Sequence, residues 1–596
     1  MPDKSLYLSE PKIQIEGQDA SPELMKDLLE ITVEESLHLP AMFALVIHNS
    51  YLSTVGRADY KEWRHEKLFN IGTQIKIGFI SSTTQDSNFN KKNQQNLIEG
   101  EVTGIEVHFN EKTEAPIIIR GYDVSHRLHR GRYNRSFLNQ MDSDIVKQII
   151  GEAGISPGKI DGSGVTHEYV FQENQTNMEF LRERAARIGY ELFMQDGKLN
   201  FCQPESKEYL KLKWLNEISK FSIRVTNAEQ VKAVEVRSWD FTQKKLIISE
   251  VTAEQVITET GNGKGSKTST AFKGKPSNPK MIVVDQPVAT ENEAKKMAQA
   301  LCDELGGEFV YADAQAYGNP KIRPGRVINI EDMGDRHSGK YYVTETRHFY
   351  TQRVYTTNFS VRGLRAGNLF ATLSTQTHLQ PGQTFLIGIV TNNKDPKSWG
   401  RVKVKFPALS EEHESHWARV VSAGAGPNRG FDCLPEVNDE VLVGFEHGDI
   451  HRPYIIGNIW NGKDAPPEKV DDSVVKGVRL RTFKTRTGHT IQFVEEDKGG
   501  SKTGIRLETT KGHKIYLNDS EQFIEIKTQG GHSIKMDDRG KKITIETSGQ
   551  HSIQMSDASK SVTIKSTGNM SIEAQGNLDI KANGVITVKG SLIKLN

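Results

Sequence analysis

Four histidines recur at matching places in the last hundred or so residues, and aligned imidazoles could bind a metal ion. They are His489, His513, His532 and His551, and the last two steps between them are equal at 19 residues. Around a threefold axis, three copies of one histidine would approach a common point, and three imidazoles suit zinc or iron. The alternative is a histidine that bonds backbone at the corner of a repeat. We favour this second role and predict neither a metal nor a cofactor.

Catalytic chemistry has little support in the sequence. The carboxylates of Glu411, Glu412 and Glu414 cluster, but a solvated loop explains them better than an acid/base pair. The tract Gly261–Ser277 is rich in Gly and Lys, yet it lacks the spacing of a phosphate-binding loop and is expected to be a mobile surface loop, as is Ser81–Gln95. The stretch from Gly462 to Arg486 is too short for a catalytic domain, and we expect none after Asn596. We therefore expect no enzyme.

Nucleic-acid binding would need exposed aromatic residues between basic ones. Trp399, Trp417 and Trp460 are available, but Trp417 lies in an apolar strand and is expected in a core. The formal net charge of +1 also argues against a nucleic-acid or anionic-membrane partner. The basic residues beside Val402 and Val404 fit an outward strand face or a subunit contact instead. They are Arg401, Lys403 and Lys405.

The elements that position the histidines are short strands in a repeat. Each unit alternates apolar and polar residues, which predicts a strand with one buried face, and after Gly568 the period shortens to eight. One such ribbon cannot enclose its apolar stripe or hide its unpaired strand edges, so we expect three chains to wind into a β-helix needle. The predicted needle core consists of Ile491, Ile515, Ile534, Ile553, Met536, Met555, Ile564, Ile572 and Ile580.

The rest of the chain reads as a mainly β, multidomain protein. Residues 1–375 predict strands with a few helices, at Asp142–Ala153, Thr176–Ile188 and Glu291–Leu305. Five strand signals in 384–463 predict a small closed barrel of the oligonucleotide/oligosaccharide-binding (OB) type, followed by a linker over 464–486 and the needle over 487–596. Three widely spaced cysteines, the lack of a leader sequence and the lack of an apolar run of about 18 residues favour cytoplasmic assembly without a signal peptide.

The barrel segment resembles the VgrG spike family of type VI secretion and extracellular contractile injection systems, in which a phage-like hub and needle are fused. The helix at Asn177–Tyr190 is similar to the family's hub helix, Pro324–Val327 and His348 to strands that close the hub, and Leu29–Ser36 to spikes of extracellular systems. The barrel residues that carry the resemblance are Gly400, Arg401, Phe406, Pro407, Trp417, Arg419, Pro435, Gly444, Gly448, Asp449, Arg452, Pro453 and Gly457.

The resemblance implies a homotrimeric spike with hub-like β-barrel domains, an OB-fold and a needle. Its implied partners are a hexameric inner tube protein, baseplate proteins, a PAAR-type tip protein, possible effector cargo and, transiently, the target membrane, with no nucleic acid. A trimeric tail-fibre adhesin is the alternative, although no aromatic residue follows Phe523. The expected contacts with the tip cap are Val585, Val588, Ile593 and Leu595.

Overall fold

A computed structural model describes residues 7–37, 39–49, 63–83, 93–109, 115–240, 242–284, 286–361, 383–468 and 477–594. The chain forms two compact units, Met1–Lys463 and Asp464–Asn596. Strands dominate both units, so the predicted mainly β fold is confirmed. Among the described helices, none combines the length and apolar character that crossing a bilayer would need.

The described residues before 362 include strands β1 to β23 and helices α1 to α5. The strands are β1 (Tyr7–Ile15), β2 (Gln18–Asp19), β3 (Leu28–Ser36), β4 (Leu39–Ile47), β5 (Gln74–Thr83), β6 (Asn93–Val107), β7 (Ile117–Asp123), β8 (Tyr133–Met141), β9 (Ser156–Ile160), β10 (Thr166–Gln175), β11 (Glu191–Gln195), β12 (Lys198–Cys202), β13 (Glu208–Lys213), β14 (Ile218–Val225), β15 (Ala233–Asp240), β16 (Lys245–Val251), β17 (Glu259–Thr260), β18 (Lys280–Val283), β19 (Val310–Tyr317), β20 (Val327–Glu331), β21 (Gly339–Tyr342), β22 (Glu345–Thr351) and β23 (Val354–Val361). The helices are α1 (Pro22–Asp27), α2 (Asp142–Glu152), α3 (Asn177–Arg187), α4 (Gly265–Thr268) and α5 (Glu291–Gly307).

The largest sheet has eleven strands in the order β14-β19-β23-β22-β3-β4-β7-β6-β5-β1-β2. Its core lies on one face of the central strands, where Phe43, Leu45 and Ile47 of β4 alternate with less buried neighbours. Alternate residues of a strand point to opposite faces, so this pattern fixes which face is covered. The three predicted helices are present, and α3 begins with a full capping box between Thr176 and Glu179.

The Gly- and Lys-rich tract is not the mobile loop that the sequence predicted, at least at its start. Gly265 and Ser266 are buried in α4, and the Ser266 backbone N–H donates to the Glu254 carboxylate at 3.0 Å. A Cβ at Gly265 would meet the Gln230 side chain at 1.8 Å, so only glycine allows this packing. Composition suggested mobility, but tertiary contacts with distant residues order the segment. Of the second predicted loop, residues 84–92 lie outside the described residues, while its flanks continue β5 and β6.

The predicted barrel is confirmed as a closed sheet in the order β24-β25-β26-β28-β27. Val402, Val404, Ala418, Val441 and Ile455 fill its interior and are fully buried. The strands are β24 (Leu386–Asn392), β25 (Arg401–Lys405), β26 (Ala418–Val420), β27 (Glu440–Phe445) and β28 (Pro453–Asn458).

The expectation that Trp417 lies in the barrel core is wrong. Val402 pairs with Ala418, which points inward, and the residue before Ala418 therefore points outward. The Trp417 ring is half-buried and lies 5.8 Å from the Arg401 guanidinium and 5.6 Å from the Lys403 ammonium.

The second unit is a ribbon of nine strands, each paired antiparallel with the next. The strands run across the ribbon, so inner strands are paired on both sides within the chain and the long sides of the ribbon are turns. The sequence analysis predicted unpaired strand edges along the ribbon, and this prediction is wrong for the strands β29 to β37. The strands are β29 (Leu480–Lys484), β30 (Thr490–Val494), β31 (Gly504–Glu508), β32 (Lys514–Asn518), β33 (Phe523–Lys527), β34 (Ser533–Asp537), β35 (Lys542–Glu546), β36 (Ser552–Ser556) and β37 (Ser561–Lys565).

The eight-residue repeats after Gly568 contain no strand in residues 566–594, the described part of this segment. A strand needs a neighbour for its backbone hydrogen bonds. This segment has no such neighbour among the described residues, although its apolar residues alternate as in a strand. One edge of β37 likewise has no partner strand among the described residues, because β37 is the last strand of the sheet.

Candidate functional site

One face of the ribbon carries two parallel columns of apolar side chains. Ile534 pairs with Ile526 on one side and Ile545 on the other, and Met536 pairs likewise with Ile524 and Ile543. Cross-strand neighbours on one face lie within contact distance, so each column is continuous. The first column contains Phe483, Ile491, Leu507, Ile515, Ile526, Ile534, Ile545, Ile553 and Ile564. The second column contains Phe493, Ile505, Leu517, Ile524, Met536, Ile543, Met555 and Val562.

We call these two columns the apolar face, and in the single chain they remain open to solvent. Ile534 and Ile553 are each 37% exposed, and exposure rises to 59% at Ile564 in the last strand, β37. Phe483, Ile491, Leu507, Ile515 and Ile526 also line a pocket of about 500 Å³ on this face. A contiguous apolar patch of this length is larger than soluble monomers normally expose, so it marks an interaction surface.

The opposite face of the ribbon is polar. Its middle row is Thr482, Gln492, Arg506, Tyr516, Glu525, Lys535, Thr544, Gln554 and Thr563. The Arg506 guanidinium lies 4.9 Å from the Tyr516 ring centroid, and Lys535 lies 4.1 Å from that of Phe523. This face suits water, and the two faces together make the ribbon strongly amphipathic.

Each repeated histidine bonds to the backbone of the next repeat. The Nδ1 atom accepts from the backbone N–H of Thr510, Gln529, Ser548 and Thr567 at 3.4, 3.3, 3.4 and 3.2 Å, for the four histidines in chain order. A neutral ring whose Nδ1 accepts carries its proton on Nε2, as the backbone-bonding role of these histidines requires. Within one chain, the described residues contain no cluster of three His, Cys, Asp or Glu side chains that could hold a metal ion.

A threonine four residues before each histidine was missed by the sequence analysis. The Thr528 hydroxyl accepts from the His532 backbone N–H at 3.1 Å, and the Thr528 backbone N–H donates to the His532 carbonyl at 2.9 Å. The equivalent threonines are Thr485, Thr509 and Thr547. The residue before each histidine has a positive φ, 87° at Gly531, and it is glycine in three of the four turns. The threonine spacing was the signal that could have revealed this turn.

Three of the residues predicted to meet a tip cap, Val585, Val588 and Ile593, lie in the unpaired part of the terminal segment. Val585 is 90% exposed, and Val588, Ile593, Ile572 and Ile580 are also exposed. Leu595 lies outside the described residues. The described side chains among these lie open to solvent in the single chain, so the described part of the segment offers apolar contact to a partner.

The barrel residues that carried the resemblance lie in its core, strands and turns. Phe406 is buried and Gly444 lies on β27 beside Phe385 and Ile456, while Pro453 and Gly457 lie on β28. The Pro435 carbonyl accepts from the Asn393 amide at 3.2 Å, and Pro407 follows β25. Turn positions with positive φ are Gly400 at 71° and Gly448 at 76°. Asp449 accepts from the His451 backbone at 3.0 Å, and Arg452 bonds Glu446 at 3.3 Å.

A buried ion pair in the first unit was also missed. Arg323 is 1% exposed, and its Nε donates to both carboxylate oxygens of Glu35 at 3.0 and 3.2 Å. The same guanidinium donates to the carbonyls of Asn96 and Leu97 and to the Asp196 carboxylate. His348, beside this pair, is fully buried, and burial together with the Arg323 charge lowers its pKa to about 3.

Two family models match the chain. Residues 12–352 match the Alg8 N-terminal domain, and residues 386–460 match the type VI secretion system/phage-baseplate injector OB domain. The first match covers more than half of the chain. The chain belongs to the Alg8 N-terminal domain family.

The expected relation to the VgrG spike family is also confirmed. The chain is 30% identical over 143 residues to the type VI secretion system spike protein VgrG1c of Pseudomonas aeruginosa. This match covers 22% of this chain and 20% of the relative. It is also 30% identical over 129 residues to the actin cross-linking toxin VgrG1 of Vibrio cholerae, a match that covers 21% of this chain and 11% of that relative. The chain thus spans about a fifth or less of the length of these curated relatives.

A solved structure also resembles this chain. The 43 kDa tail protein of prophage MuSo2 from Shewanella oneidensis is 15% identical, with a TM-score of 0.44, over 60% of this chain and 98% of that protein. The residues that match the OB-domain model coincide with the closed barrel β24 to β28.

Proposed function

We propose that this protein is the homotrimeric central spike of a contractile injection system, which joins an inner tube and baseplate to a membrane-piercing tip. The observation that carries the proposal is the apolar face of the ribbon. Burying the exposed share of its large side chains is worth roughly 0.6–1.2 kcal/mol each, and about 10–20 kcal/mol per chain over the two columns. Three ribbons around one axis would cover all three faces at once and close the assembly.

The terminal segment supports the same proposal in a different way. The strands from β29 to β37 are paired within one chain, whereas the eight-residue repeats are not. In a trimer, these repeats would find their hydrogen-bonding partners in neighbouring copies, beginning at the free edge of β37. The needle would then consist of a self-paired shaft over 480–565 and an intertwined end.

The mechanical role follows from the direction of the strands. Because the strands run across the ribbon, their hydrogen bonds lie along its length and would resist axial compression during contraction. The partners that we propose are a hexameric inner tube protein on the hub, baseplate proteins around it, a PAAR-type protein on the apolar end and effector cargo. The spike would assemble in the cytoplasm, act as a non-enzymatic part of a membrane-anchored or released particle and meet the target membrane transiently.

Light scattering coupled to size exclusion tests the trimer. The full chain should give about 200 kDa, three times its mass of 66.8 kDa. Replacing Ile534 and Ile553 with Asp places two charges per chain on the apolar face, and we expect the trimer to be lost. The matched control replaces Thr544 and Gln554, on the opposite face of neighbouring strands, with Asp and should remain trimeric. An intact trimer in the isoleucine variant would contradict the proposal.

A further inference from the structure

Three asparagines of the chain are followed directly by glycine, and this dipeptide is chemically labile. They are Asn262, Asn461 and Asn583. The backbone nitrogen of the glycine can attack the side-chain amide carbon of the asparagine, because glycine has no Cβ that would obstruct the approach. The rate of such a reaction in a folded protein depends on how often the surrounding structure lets both residues move. The three sites differ in this respect.

Hydrogen bonds hold the first site on both sides of the bond that would react. The Asn262 amide nitrogen donates to the Thr260 hydroxyl at 3.2 Å and to the Arg336 carbonyl at 2.9 Å. The backbone N–H of Gly263, which would have to attack, donates to the Thr260 carbonyl at 3.3 Å. Attack would require these bonds to break, so the fold protects Asn262.

The second site is held by hydrogen bonds and by close packing. The Asn461 amide nitrogen donates to the Glu440 carboxylate at 3.1 Å, and the Asn461 side-chain oxygen accepts from the Lys463 backbone N–H at 2.9 Å. The backbone of Gly462 lies so close to the Thr242 carbonyl oxygen that a Cβ on this glycine would be 1.6 Å from it. The glycine has no room to turn toward the side chain, so this site is protected as well.

The third site has none of these restraints. Asn583 and Gly584 are exposed, and neither makes a hydrogen bond with any described residue. A Cβ on Gly584 would meet nothing within 4 Å. Both residues lie in the eight-residue repeats, which form no strand in the described residues 566–594. In the single chain, local motion is therefore enough to bring the glycine nitrogen to the amide carbon.

We propose that Asn583 is a site of spontaneous deamidation, which is reactive in the single chain and protected when the terminal segment pairs with neighbouring copies. The Gly584 nitrogen forms a bond to Cγ of Asn583, and the side-chain amide leaves as ammonia with the proton of that nitrogen. Water then opens one of the two C–N bonds of the resulting succinimide ring and leaves aspartate or isoaspartate. Water is the co-reactant and ammonia is the product that departs. The protection rests on the proposed trimer, whereas the reactivity does not.

Either product would change the terminal segment beside the residues predicted to meet a tip cap. Both products carry a new negative charge two positions before Val585, which is 90% exposed. Isoaspartate also routes the backbone through the former side chain and so lengthens it by one carbon atom. Such an insertion shifts the register of every following residue, and register decides which face of a strand each side chain occupies. A chain that reacts before it assembles would therefore pair poorly at this end.

Peptide mass spectrometry of the full chain, sampled over time at mildly alkaline pH, tests the proposal with two control sites in the same molecule. In the Ile534→Asp/Ile553→Asp variant, which should be monomeric, we expect Asn583 to be lost at least tenfold faster than Asn262 or Asn461. In guanidinium chloride, which removes the fold, the three sites should react at similar rates. Gly584→Ala adds a Cβ in open space and should slow the loss of Asn583 at least tenfold while leaving the other two sites unchanged.

The wild-type trimer supplies the comparison for protection. In the trimer, Asn583 should react at least tenfold more slowly than in the monomeric variant, and equal rates would overturn the proposal. Equal rates at the three sites of the folded monomeric variant, or no effect of Gly584→Ala, would also overturn it and leave the trimeric spike standing. A monomeric wild-type chain would overturn the proposed trimer and the protection together, and the reactive site would then be judged on the wild type by the same comparison with Asn262 and Asn461.

Discussion

Replacing Arg323 with Met tests whether the buried ion pair holds the first unit together. Arg323 and Glu35 are 1% and 5% exposed, and the guanidinium also donates to two backbone carbonyls, of which that of Leu97 is buried. The methionine fills part of the space of the arginine side chain with an unbranched apolar group, but it leaves the Glu35 carboxylate buried without its partner. Breaking a buried pair in this way costs about 3–5 kcal/mol of unfolding free energy.

Intrinsic fluorescence isolates the relevant unit, because all six tryptophans lie before residue 464. Urea unfolding of the full chain, followed by tryptophan emission, should therefore report the first unit alone. We expect the Arg323→Met midpoint to fall well below that of the wild type. The additional change Glu35→Gln removes the unpaired charge and should recover part of the loss. Asp196→Asn is the control, because Asp196 is 60% exposed and its contact with Arg323 should contribute less than about 1 kcal/mol.

Two results would refute this reasoning. One is an Arg323→Met midpoint no lower than that of Asp196→Asn, which would mean that the buried pair contributes no more than the exposed one. The other is a double variant that is less stable than Arg323→Met by the full effect of Glu35→Gln alone. The two substitutions would then be additive, and the pair would have no coupling energy.

Two further predictions concern the tip and the buried acid Glu191. Deleting residues 585–596 should leave the trimer intact by light scattering but abolish co-purification of a PAAR-type cap, and undiminished capture of the cap would contradict the proposed tip. Burial raises the pKa of Glu191 to about 8, and its carboxylate accepts from the Tyr342 hydroxyl. A raised pKa in the folded state means that stability is lost as pH rises from the unfolded value of 4.5 through 8. Glu191→Gln, which stays neutral, should therefore melt higher than the wild type at pH 9, with little difference at pH 4, and equal melting at pH 9 would count against the assignment.

Local patterns in the sequence predicted most of the elements. Alternating valines between turn signals predicted the barrel strands, and Thr176 with Glu179 marks the start of α3 that the apolar period predicted. The 19-residue repeat predicted the ribbon strands and their apolar stripe. These features depend on neighbours within a few residues, which is why one sequence sufficed to find them. The trimeric needle stays a prediction, because it depends on contacts between chains.

The errors came from facts that depend on residues far apart in the chain. Trp417 was assigned inward from its apolar neighbours, whereas the register between β25 and β26 turns it outward. The tract after Gly261 looked mobile by composition, but Glu254 and Gln230 hold its first part. The ribbon was expected to have unpaired strand edges along its length, but its strands run across it and pair with each other. The period of a sequence repeat does not by itself reveal in which direction the strands run.

The sequence by itself determined where strands, turns and helices lie, and which side of each is apolar, because those preferences are set by the local backbone and by alternation. Only the tertiary structure decided which groups meet. Arg323 and Glu35 are 288 residues apart, and no local pattern marks either as the other's partner. The same holds for each histidine ring and the backbone N–H of the next repeat, a bond that exists only once the strands have paired in register.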